Sequence, residues 1–153
     1  MLKFKNLFLI LILIFSTSCT KEIKKGSILK EKSLDHQVFE AYRKGLESLE
    51  EGDVLFAAKK FNEAEILFPQ SQWAPKSALM AAYAYYSQDY YNDAINELNR
   101  FIKVYPLYEN IDYVYYLLGV SHYEQIVDEK KDLQSIVSAK NYFDIVLNRF
   151  PNT

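Results

Sequence analysis

The side chains of this sequence that can do chemistry are few, and most of them are phenols. The chain holds 13 Tyr and 10 Phe against one Cys and two His. Tyrosine offers a flat apolar face with a polar tip, so it suits surfaces that grip aromatic groups while one end of each ring stays wet. The lone cysteine, Cys19, excludes a disulfide framework or a cysteine-rich zinc module, and His36 and His122 leave little for another metal site. His122 falls where a large residue packs between helices and reads as a core histidine; His36 lies in a polar segment and suggests nothing. The four glycines form no phosphate-cradling motif. Glu47, Glu50, Glu51 and Asp53 cluster near a helix turn and read as a solvated, capping face, and 128–132 reads as an exposed loop. No nucleophile, base and orienting group can be assembled at a defensible spacing. The chain is therefore expected not to be an enzyme and to use no metal or cofactor. With 18 Lys+Arg against 20 Asp+Glu it has no basic footprint, so no nucleic-acid partner is expected.

The elements that must position these groups begin with an address. Lys3 and Lys5 precede an apolar run from Leu7 to Phe15, too short for the roughly 20 residues of a membrane-spanning helix. Ser16, Thr17 and Ser18 follow, then Cys19. Apolar run, small residues and cysteine together resemble a bacterial lipoprotein signal, although Ser16 stands where such signals usually carry Leu. The resemblance implies cleavage after residue 18, acylation of Cys19, and, because Thr20 is not Asp, sorting to the outer membrane. Several acyl chains, at about 0.8 kcal/mol per buried methylene, would hold the chain without a spanning helix. The alternative is an ordinary secretory signal with a free cysteine. Residues 20 to 35 are rich in Lys and Ser without a helical apolar stripe, so 19–37 is expected to be the lipidated residue and a flexible tether.

From Val38 onward the chain reads as all-α. At 153 residues, half of them hydrophobic, it suits one domain with a real core. Pro69, Pro106 and Pro151 follow apolar helical stretches in the contexts LFP, VYP and RFP. Placing Pro69 at position 32 of a 34-residue tetratricopeptide unit puts Gly45 at position 8, Gly52 at 15, Ala57 at 20, Phe61 at 24 and Ala64 at 27. The same alignment on Pro106 gives Ala82, Tyr85, Tyr91, Ala94 and Leu98, with Phe101 at a normally small position. A third unit carries Gly119, Ala139, Phe143 and Pro151, its halves separated by an insertion around 127–134. The expected fold is a tetratricopeptide-repeat solenoid of three helix pairs at 38–71, 75–108 and 111–153. Helices are expected near 37–50, 53–67, 75–88, 90–104, 111–127 and 134–149. Helices this short are marginal alone and must support one another by stacking. A plain helical bundle is the alternative.

In repeats of this kind the first helix of each pair lines the concave face. Carried onto this register, the face receives Phe39, Tyr42, Leu46 and Leu49, then Lys76, Leu79, Tyr83 and Tyr86, then Tyr113, Tyr116, Val120 and Tyr123. The expected peptide groove is therefore Phe39, Tyr42, Lys76, Tyr83, Tyr86, Tyr113, Tyr116 and Tyr123. Its occupant is an extended peptide with aromatic side chains, and Lys76 could meet a carboxylate at that peptide's end. For any single tyrosine, a place in the core is the alternative reading.

Further residues carry a closer likeness. Phe68-Pro69 with Ser71 and Trp73, the run Ala82-Tyr83-Ala84-Tyr85-Tyr86, Arg100-Phe101-Ile102 with Tyr105-Pro106, and Asn110-Ile111-Asp112-Tyr113-Val114 with Tyr116 and Gly119 resemble the BamD family of outer membrane protein assembly factors. Tyr123-Glu124-Gln125 and Arg149-Phe150-Pro151 continue the likeness, which covers about residues 38 to 153. It implies a lipoprotein facing the periplasm within the β-barrel assembly machinery, with BamA and other subunits as partners and unfolded outer-membrane proteins, ending in an aromatic residue, as clients. The family has five repeats, so three imply a C-terminally truncated form that leaves Phe143, Val146 and Leu147 uncovered and BamA docking in question. A general periplasmic adaptor of envelope maintenance or division is the other functional reading.

Overall fold

The computed structural model of the chain describes residues 26–127 and 133–153. The expected signal 1–18, Cys19, residues 20–25 and residues 128–132 of the insertion lie outside the described residues. Six helices account for the described fold, and no strand occurs among the described residues: α1 Gly26–Glu50, α2 Val54–Leu67, α3 Trp73–Tyr86, α4 Tyr91–Val104, α5 Ile111–Tyr123 and α6 Leu133–Arg149. Lys32–Thr153 forms one compact unit; of the other, Met1–Glu31, the described part is the start of α1.

Three local rules set these bounds. Each of α2, α4 and α6 ends two residues before its proline, at Leu67, Val104 and Arg149, because the ring blocks the helical hydrogen bond and restrains the residue before it. Pro75 sits instead in the first turn of α3, where a missing N–H costs nothing. At the start of α2, Asp53 Oδ1 accepts from the Phe56 N–H at 3.1 Å, filling one of the free donors of the first turn. The turn between α1 and α2 needs a left-handed residue, and Gly52 supplies it at φ +83°. The matching place between α3 and α4 is Asp89, at φ +64°, one of the few side chains that tolerate that region.

The helix pairs close through small-to-large contacts at repeat positions 8 and 24. A Cβ added to Gly45 would lie 2.7 Å from the Phe61 ring, and one added to Gly119 would lie 2.6 Å from the Phe143 ring. The middle pair uses Ala82 and Leu98, both fully buried in one cluster. Ala57, Ala94 and Ala139 at position 20 are all buried. The clusters then run across unit boundaries: α3, α4 and α5 share Ala78, Ala82, Leu98, Phe101, Val114, Leu117 and Leu118, while α2 and α3 share Ala57, Ala58, Phe61, Ala81 and Ala84. Three stacked pairs of this kind are the expected tetratricopeptide-like solenoid.

Three expectations are corrected. The first helix starts at Gly26, not near 37, so part of the segment read as tether is helical. It lacks an apolar stripe because a helix nucleated downstream extends by propensity alone. The fifth helix ends at Tyr123, four residues before the expected 127. Phe143 does not lie on an uncovered face of α6: it is half-buried against Gly119 and Tyr116, whereas Leu147 is 70% exposed.

Candidate peptide-binding face

The expected groove residues fall into three places. At the first, Phe39 and Tyr42 of α1 surround Trp73, with ring centroids 6.3 and 5.2 Å away, and Tyr42 also meets Phe61 at 5.3 Å. Tyr42 is half-buried, and that burial raises its phenol above the usual value. Lys76 holds its Nζ 5.6 Å from the Trp73 ring centroid and lines a hollow of about 550 Å³ with Gln72, Tyr105, Leu107, Tyr108 and Glu109. A cation over an indole face beside an open hollow can receive a carboxylate while its stem stays on the ring.

At the second place, four tyrosines from two helices lie near one another. Tyr83 and Tyr86 on α3 are 6.3 Å apart, as are Tyr113 and Tyr116 on α5. Residues three apart share a helix face, and the common core of α3 and α5, on which Tyr86 packs, brings the two faces side by side. Burial is the first cause that raises Tyr113; the phenols of Tyr83, Tyr86 and Tyr116 then act on it. Tyr116, the most open of the four, is 49% exposed. The result is a half-wet patch of π faces and hydroxyls.

Tyr123 stands apart at the end of α5, 57% exposed, beside a hollow lined by Glu124, Ile126, Val127 and Ile136. The structure thus gathers Tyr83, Tyr86, Tyr113 and Tyr116, sets Phe39, Tyr42 and Lys76 around Trp73, and leaves Tyr123 at the margin.

Three contributors escaped the sequence reading. Trp73, quoted there only for its likeness value, is the centre of the first place. Tyr91 reaches the second: its ring is 6.0 Å from Tyr86, and its hydroxyl donates to Asp89 Oδ1 at 2.6 Å. That hydrogen bond to a carboxylate, ahead of burial, pushes its phenol up to about 12. The third is an ion network between the first two repeats. Arg100 donates to both Glu65 oxygens at 2.8 and 2.7 Å and to Glu97 at 2.8 Å, while the Tyr105 hydroxyl donates to Glu65 at 2.8 Å. Glu65 is 8% exposed, and nothing in its immediate sequence marks it as turned inward. His122 stacks on Tyr142 at 5.6 Å, and burial lowers its value below the ordinary histidine range. No metal-holding group of three or more His, Cys, Asp or Glu occurs among the described residues. None of the described helices is long and apolar enough to cross a membrane.

Comparison with known proteins adds a family. The profile of the family YfiO, described as outer membrane lipoprotein, matches residues 34–153. A protein of Caulobacter vibrioides named outer membrane protein assembly factor BamD is 33% identical over 135 residues, covering 88% of this chain and 43% of its own length. Its namesake in Rickettsia prowazekii is 32% identical, with 73% and 45% covered. That of Neisseria meningitidis serogroup B is 28% identical, with 84% and 53% covered. The chain spans about half the length of these relatives.

Proposed function

The chain belongs to the YfiO family of outer membrane lipoproteins, and from that premise we propose that it helps assemble proteins of the outer membrane without itself catalysing a reaction. In this reading Cys19 carries the lipid that holds it on the periplasmic face of that membrane. The concave face captures an extended, aromatic-bearing segment of an unfolded outer-membrane protein, and the solenoid docks partner subunits of the assembly machinery, BamA among them. The relatives' shared name supports assembly as the task. What supports capture on this face is the patch of Tyr83, Tyr86, Tyr113 and Tyr116, four half-exposed rings from two parallel repeats where a purely structural interface would bury them.

The mechanism is selection by side chain. A bound aromatic residue would cover roughly 150–250 Å², at about 25 cal/mol/Å² gross. The hydroxyls satisfy the segment's backbone as water leaves, and Lys76 with its Trp73 support meets a carboxylate. Because the rings have few rotatable bonds, little conformational freedom is lost on binding.

The test is binding of a fluorescent ten-residue peptide ending in Phe to the purified full chain. Tyr83→Ala and Tyr116→Ala should each weaken it by about tenfold while far-UV circular dichroism stays unchanged. Unchanged affinity in both variants would remove the face from the function.

A further inference from the structure

The tyrosine patch is electrically one-sided. Tyr83 and Tyr86 lie in the last turn of α3, whose last carbonyls carry the negative end of its dipole; Tyr91, the first residue of α4, packs on Tyr86, and Tyr113 and Tyr116 lie beside them on the first half of α5. Two carboxylates close the same end: Asp89, held in place by the Tyr91 hydroxyl, and Glu124, which follows α5 directly. Both act on Tyr86 and on Tyr91. The groups that perturb Tyr86, Tyr91 and Tyr113 are carboxylates and phenols, with no cation among them. At the other end of α3, in its first turn, stands Lys76 over Trp73, where the helix dipole is positive.

Resting on the peptide-capture reading above, we propose that Tyr83, Tyr86, Tyr91, Tyr113 and Tyr116 form a cage for an arginine or lysine side chain of the bound segment. The cage fixes the segment's direction. Aromatic faces attract a cation through their quadrupole, and Asp89 and Glu124 add net charge at the rim. The segment then runs with its carboxyl end toward Lys76 and its basic residue toward Glu124. A spacing follows. Lys76 and Tyr86 are ten residues apart on α3, or about 15 Å at 1.5 Å per residue. An extended chain covers that distance in about four or five residues at roughly 3.3 Å each. The preferred client carries its basic side chain four or five residues before its end.

Three ten-residue peptides test this on the purified full chain by fluorescence anisotropy. All end in Phe with a free carboxylate and share a second aromatic residue. One has Arg five residues from the end, one has norleucine there, and one has the Arg moved next to the terminal Phe. The first should bind about tenfold more tightly than the other two. Its advantage should vanish in the double variant Asp89→Asn, Glu124→Gln, where Asn keeps the left-handed backbone at 89. Equal binding of the first two peptides overturns the cage and leaves aromatic capture standing. An advantage that follows the Arg to the terminus overturns the direction, and one that survives the double variant overturns the assignment to this cluster. Binding of none of the peptides overturns both the cage and the capture reading.

Discussion

At the scale of single residues, the most consequential side chain outside the aromatic face is Glu65. It lies almost out of water, and both oxygens are held by Arg100, with Tyr105 completing the set. The Glu65 hydrogen bonds are the first cause that raises the Arg100 guanidinium; burial comes first for Tyr105, with the Glu65 bond next. Glu65→Ala would leave Arg100 with only Glu97 and a half-buried phenol without its acceptor. It is expected to destabilise the protein by about 2 kcal/mol, read as a lower denaturant midpoint with an unchanged slope. An unchanged midpoint would show that water replaces the network at no cost. The pair was not legible in the sequence, because its members are 35 residues apart on successive repeats and neither occupies a position that the repeat pattern constrains. Gly45 with Phe61 and Gly119 with Phe143 were legible for the opposite reason: each closes its own helix pair, so the same two register positions recur.

At the scale of elements, repeat position 15 decides where one helix hands over to the next. Gly52 and Asp89 share that place and a left-handed backbone, though only the glycine advertises it. A Cβ at Gly52 would meet no atom within 4 Å, so substitution there tests backbone strain without steric clash. Gly52→Ala is expected to cost about 1 kcal/mol, while Gly52→Asn should cost less, by thermal denaturation. Equal costs would mean that the turn relaxes out of the left-handed region. The three terminating prolines made the ends of α2, α4 and α6 readable to the residue. The beginning of α1 was not, since apolar periodicity reports where a helix is packed and is silent where one merely continues. The concave residues were found by register, but their division into a tryptophan-centred group and a tyrosine group depends on which rings meet across helices, which no linear spacing records.

At the scale of the whole molecule, the solenoid separates its duties by face. Second helices carry the inter-repeat ion network, first helices carry the half-wet aromatic rings, and the shared cores between α3 and α5 hold the tyrosines of two repeats at one place. The proposed anchoring and the proposed capture are expected to separate: Cys19→Ala should abolish labelling by a fatty-acid analogue and release the protein from membranes, with peptide affinity unchanged. Persistent labelling would contradict acylation at that residue. The central claim is that clients meet the first-helix face, and site-specific photo-crosslinking tests it most directly. A photoreactive residue replaces Tyr116, or Leu55 on α2, which is 56% exposed, and the full chain is irradiated with a urea-unfolded outer-membrane protein diluted into buffer. Crosslinks from position 116 and none from position 55 are the predicted result. Equal crosslinking from both, or crosslinking from 55 alone, would contradict it.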